Sequence, residues 1–144
     1  MKKYLLAIDG SVYSQKAIQH VLKIGKVKRY LNITVLHVVN KRKEVYKFSP
    51  FTDIRDIEQA VLEQGQQLLD EQSRPFAEAG ISVHKIVTEG DPGDEIVRYA
   101  RKGNFDHIVL GTRGLSNIKG VVLGSVSNKV ISQAHCNITL IKMT

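Results

Sequence analysis

The 144-residue sequence has one cysteine, Cys136, which excludes an internal disulfide framework and leaves folding to a hydrophobic core. It has no tryptophan, and its five tyrosines and four phenylalanines are scattered without an RNA-binding signature. No apolar run is long enough to cross a bilayer as a helix, so no membrane partner is expected. Tyr4 to Ile8 is too short for a secretory core and is cut off by Asp9, which leads us to expect a cytoplasmic protein. Zinc-ligand spacing, a helix-turn-helix pattern, internal repeats and low-complexity linkers are all missing. So is the Gly-Lys-Ser/Thr of a P-loop; Lys119 and Gly120 stand in the reverse order. Acidic residues are in the minority, and the formal net charge of +7 favours anionic partners, either nucleotides or nucleic acid. The lysines run from Lys2 to Lys142 instead of lining one helix face, so nucleic acid is the weaker expectation.

The pattern that is present alternates short β-branched runs with helical ones. Lys3 to Ile8, Ile33 to Val39, Ile81 to Val87, Asp106 to Leu110 and Asn137 to Lys142 read as strands, mostly apolar on both faces as a parallel sheet requires. Between them, Ala17, Ile18, Val21 and Leu22 recur at helical spacing, with Ser11 or Ser14 as the cap. Asp53 opens a long helix to about Ala79, with Ile54, Ile57, Val61, Leu68 and Leu69 as its stripe; Pro75 ends or kinks its last turn and Gly80 terminates it. Asp91, Pro92, Asp94 and Glu95 make a strong helix start, and Gly103 a stop. Residues 40–52 show no pattern. The β-α alternation predicts one α/β domain over residues 1–144: a single open, doubly wound, five-stranded parallel sheet, Rossmann-like, with helices on both faces.

In such sheets ligands bind beyond the strands' carboxyl ends, where the strand order reverses. The fold class leads us to expect the order 3-2-1-4-5, which sets Asp9, ending the first strand, beside Gly111, ending the fourth. Gly111 and Gly114 lie where a strand ends; Gly124 and Ser125 lie where the helix Val126 to Ala134 begins. Glycines let main-chain N–H groups approach a ligand, and a helix amino end offers unpaired donors and positive potential. Together they form an anion cradle, and the anion it suits is a phosphate chain. Ser125 serves equally as a helix cap, and Asp9 as a cap for the first helix. We read His37 as a packed strand histidine, Cys136 as a small buried hydrophobe, and Asp94 and Glu95 as partners of their helix dipole.

These residues resemble the universal stress protein family, in its nucleotide-binding branch. That family's pattern is Gly, two residues, Gly, nine residues, then Gly followed by Ser or Thr; Gly111, Gly114, Gly124 and Ser125 fill each fixed position. The likeness extends to Ile8 through Ser11, Leu36 through Val39, Glu89 through Pro92, and Asp106 through Leu110. It implies a site for ATP, or AMP or ADP, with Mg2+ or Mn2+ on the phosphates. Asp9 would then sit near the ribose and the metal, the Val38 backbone would read the adenine edge, and Leu110 would line the base or ribose pocket. Gly111 and Gly114 would wrap ribose and phosphates. Gly124, Ser125, Val126 and Ser127 would donate to the phosphates, the serine hydroxyls included. Arg113 is read as solvent-facing. A homodimer paired through the last strand is also implied. With no second acidic cluster or water-positioning base, the sequence points to a binding module, with slow hydrolysis or self-phosphorylation as the alternative, and a charge-driven nucleic-acid binder as another.

Overall fold

The computed structural model describes residues 2–40, 53–113 and 123–143, with only the backbone of Ile54 described. Five strands are seen: β1 (Lys3–Ile8), β2 (Asn32–Val39), β3 (His84–Glu89), β4 (His107–Gly111) and β5 (Asn137–Ile141). They form one parallel sheet in the order β3-β2-β1-β4-β5. The helices are α1 (Val12–Val27), α2 (Ile54–Glu78), α3 (Pro92–Lys102) and α4 (Ser125–Gln133). The sheet is doubly wound, as the alternation of elements predicts.

Side chains of a strand alternate between faces, and β1 shows what that does here. Leu6 and Ile8 join Ala17, Val21, Leu69 and Phe76 under α1 and α2. Leu5 and Ala7 join Ile96, Ala100 and Val130 under α3 and α4. Leu5 and Leu6 are both fully buried, which explains why the strand reads as continuously apolar.

The helix signals act as read. Ser11, not Ser14, caps α1, its hydroxyl accepting from Ser14 N–H at 3.1 Å. Asp53 caps α2, and Pro75 sits within its last turn without ending it early. Asp91 caps α3, accepting from Asp94 N–H at 3.0 Å, and Gly103 closes that helix. In α2, Ile57, Val61 and Leu69 are buried as expected, and Phe76 extends the stripe. The Ile54 side chain, assigned to that stripe, lies outside the described residues, as do residues 41–52 of the unpatterned stretch.

The third strand starts later than its side chains suggest. The Ile81–Val87 pattern gives way to His84–Glu89, because Ile81 N–H bonds back to Phe76 O at 2.8 Å and keeps the chain in the helix exit. Ile81 and Val83 still pack on the core, from the connection. The pairing then runs from Thr34 beside His84 to Val39 beside Glu89, set by where β2 lies. Smaller boundary shifts make β2 begin at Asn32, β4 run to Gly111, and the last helix span Ser125–Gln133.

Candidate functional site

The order reverses between β1 and β4, so their carboxyl ends bound a crevice. Leu6 pairs with Val109; two residues further along both strands, Ile8 comes level with Gly111. Asp9 is therefore set beside the glycine segment, as the fold class leads one to expect.

On the β1 side, half-buried Asp9 accepts the Ser11 N–H on Oδ1 at 2.9 Å. This local bond shapes the turn into α1 without exhausting a carboxylate that has several acceptor positions. Gly10 holds φ at +84°, and a Cβ there would meet Leu68 Cδ1 of α2 at 3.1 Å, so both backbone and space call for glycine. His37 Nδ1 donates to Ile8 O at 3.0 Å, since a carbonyl can only accept; the bond fixes the strand end that precedes Asp9.

On β2, the Val38 side chain packs against the core on the α3 and α4 face. Main-chain groups of successive residues point to opposite neighbours. Val39 O accepts from Gly90 N–H on the β3 side, so Val38 directs its carbonyl toward β1, whose pairing stops at Ile8 beside His37. That carbonyl thus lies at the rim of the crevice.

On β4, the Leu110 side chain is turned into the core and almost fully buried. Gly111 has a reason for lacking a side chain that sequence alone does not show. A Cβ there would stand 2.5 Å from Tyr13 Cβ and 3.1 Å from Tyr13 C, so its close neighbour is the first turn of α1. Gly114 lies outside the described residues, as does the stretch to residue 122.

The amino end of α4 is pinned to this strand end. Gly124 N–H donates to Thr112 O at 2.8 Å. The Ser127 hydroxyl, 2% exposed, faces Gly111 O at 2.9 Å and Thr112 O at 3.1 Å, and donates to this carbonyl pair. This corrects the expectation that the Ser127 hydroxyl adds a bond to a ligand. Its single proton is held inward as a staple, leaving only its main-chain N–H. Gly124, not Ser125, occupies the cap position; Ser125 is the first helical residue and exposed. The first bond that closes this helix is Asn128 N–H to Gly124 O, so the N–H groups of Ser125, Val126 and Ser127 lie ahead of it.

The other three described helices each have a side-chain cap from Ser11, Asp53 or Asp91. The α4 terminus has none, and no acidic residue in its first turn. Its positive end is therefore uncompensated by any side-chain cap or first-turn acid among the described residues, and it is fixed at the crevice. Lys129 ties the same helix to α3, 2.9 Å from Asp91 and 3.2 Å from Asp94. The Lys129 ammonium is held up in pKa by hydrogen bonds to Asp91 and Asp94, and the Asp91 carboxyl is held down, chiefly by the Asp94 N–H and then by Lys129. Among the described residues no cluster of three or more His, Cys, Asp or Glu could hold a metal by itself.

Residues 1–142 match the model of the universal stress protein family. Universal stress protein MJ0531 of Methanocaldococcus jannaschii is 32% identical over 147 residues, covering 98% of this chain and 82% of that one. The solved structure of MJ0577 from the same organism superposes with a TM-score of 0.85 at 26% identity, over 99% of this chain and 96% of that one. A universal stress protein family protein from Arabidopsis thaliana, solved with AMP bound, gives a TM-score of 0.74 at 22% identity over 100% of this chain and 93% of that one, a likeness of fold. With the sheet order, the glycine segment and a family match over nearly its whole length, the chain belongs to the universal stress protein family.

Proposed function

We propose that the chain is one adenine-nucleotide-binding domain over residues 1–144, working as a regulatory binding module. The observation that supports this best is the uncapped amino end of α4, held at the carboxyl end of β4 with Asp9 on the far side of the reversal point. Three successive main-chain donors and a helix dipole suit a phosphate chain. In this reading Gly111 and Gly114 shape the loop around the ribose and phosphates. In place of the expected Gly124 donor, whose N–H is taken by Thr112 O, the N–H groups of Ser125, Val126 and Ser127 meet the phosphates, and Gly124 leaves the approach to them free of a side chain. Val38 frames the base through its carbonyl, and Leu110, expected to line this pocket, supports it from the core, where its side chain is buried. Asp9 takes the ribose and shares an Mg2+ or Mn2+ ion held mainly by the nucleotide, since one carboxylate is the usual protein share of such a site. The AMP-bound fold relative from Arabidopsis thaliana supports an adenine nucleotide as the ligand.

The module is further read as cytoplasmic and as a homodimer through β5, which lies at the sheet edge with half-buried Ile138, Leu140 and Ile141. Light scattering that returns a monomer at micromolar concentration removes the dimer. The nucleotide reading is tested by Ser125→Glu. A carboxylate at the first helical position suits the dipole and keeps the fold, but repels phosphate. ATP binding by calorimetry should be lost while the melting temperature holds or rises. Unchanged affinity in that variant refutes the cradle.

A further inference from the structure

All five strands are parallel, so one end of the molecule gathers their starts and the opposite end gathers the crevice. The start end comprises residues 2–3, 26–31, 78–84, 101–106 and 133–137. Within these stretches Lys and Arg outnumber the acids, which are Glu78 and Asp106 alone, and Asp106 already accepts the Lys3 N–H at 2.8 Å. The α1 helix that leads to this end contains no acidic residue at all.

The turn from α1 to β2 projects from this end. Lys28 closes α1, its N–H bonded to Ile24 O, and Leu31 N–H returns to Lys28 O at 3.2 Å. Arg29 and Tyr30 are therefore the two corner residues of a hydrogen-bonded turn; Tyr30 projects, while the exposed Arg29 guanidinium donates back to Gly80 O at 3.5 Å. Val27 is 83% exposed and Tyr30 60%, two of the four large hydrophobics that are exposed among the described residues. Lys26, Lys28 and Arg29, all exposed, surround them.

We propose that this turn is a peripheral docking site for an anionic phospholipid surface. A polyanion such as nucleic acid would use the charge but has no use for a projecting valine. A bilayer uses both: apolar tips enter the headgroup boundary, a tyrosine ring suits that depth, and the lysines stay at the charged surface. The expectation of no membrane partner rested on the lack of a spanning helix, and none is found among the described residues; a peripheral contact needs none. The site lies at the opposite end of the sheet from the crevice, so it does not depend on the nucleotide reading.

The test is co-sedimentation of the full chain with vesicles of phosphatidylserine in phosphatidylcholine, against phosphatidylcholine alone, at low and high salt. Binding should require the anionic lipid and weaken with salt. Lys28→Gln should weaken it about fivefold, and Val27→Asp about tenfold; Tyr30→Ser should weaken it as well. Val12→Asp, also on an exposed valine but at the crevice end of α1, should leave it unchanged. Since Val27 and Tyr30 are exposed, circular dichroism melts should match the parent. Failure to sediment with anionic vesicles at low salt overturns the proposal. So does sedimentation that both Val27→Asp and Tyr30→Ser leave intact, which would mark a general polyanion surface.

Discussion

Gly111→Ala asks what the first glycine of the segment is for. The new methyl would stand 2.5 Å from Tyr13 Cβ, 3.1 Å from Tyr13 C and 3.2 Å from Arg113 O. Carbon atoms rest about 3.5–4.0 Å apart, so α1 or β4 must yield by roughly 1 Å. Neither yields easily. Tyr13 lies in a turn held by the Ser11 cap and by Gln15 N–H to Ser11 O at 3.0 Å, and β4 is an interior strand paired on both sides. Overpacking of this kind costs about 1–3 kcal/mol, which for a chain of this size lowers the melting temperature by about 3–9 °C. Urea and thermal unfolding measure it. Tyr13→Gly should restore part of the loss in the double variant, with a coupling of about 1–2 kcal/mol, whereas Tyr13→Ala should not, because it keeps the offending Cβ. If Gly111→Ala melts with the parent and only loses ATP affinity, the packing argument is refuted and the glycine serves the ligand alone.

Ser127→Ala removes the staple between α4 and the end of β4 and should cost about 1–3 kcal/mol, together with weaker ATP binding, read by urea unfolding and calorimetry. Ser73→Ala should be neutral or stabilising by up to about 1 kcal/mol, because the buried Ser73 hydroxyl has no hydrogen-bond partner among the described residues; a marked loss in urea would refute this. His107 stacks on Tyr4 at a centroid distance of 4.8 Å, and its pKa is held below the ordinary histidine value, first by burial and then by His20 and Lys2. The folded state therefore favours the neutral ring, and the unfolded chain takes up the proton more readily. Its stabilising share is complete above the unfolded value of 6.5 and is lost as pH falls through that value toward the lower folded one. His107→Gln should flatten the loss of stability on acidification across this window; parallel curves for variant and parent would refute the assignment.

The fold was legible because hydrophobic spacing and helix caps are local signals, and here they agree: Asp91 with Pro92, Asp53, and Ser11 each start the helix that they announce. The β3 boundary was not legible, because Ile81 and Val83 are core residues whether or not their backbone pairs, and pairing is decided by β2. At the site, the meeting of Asp9 with the glycine segment followed from topology. What escaped were relations across the chain. Nothing near Gly111 in sequence signals Tyr13, and nothing near Ser127 signals the carbonyls of Gly111 and Thr112. A serine in a first helical turn looks ligand-facing until its distant acceptor is seen. A cap position is likewise ambiguous between Gly124 and Ser125 when both suit a helix start.

The joint at Thr112 has a bearing on how strand and helix respond to strain. Because Gly124 N–H and the Ser127 hydroxyl both fasten to its carbonyl, the end of β4 and the start of α4 share one anchor. A disturbance that loosens either is passed to the other, so the two keep or lose their seats as a unit.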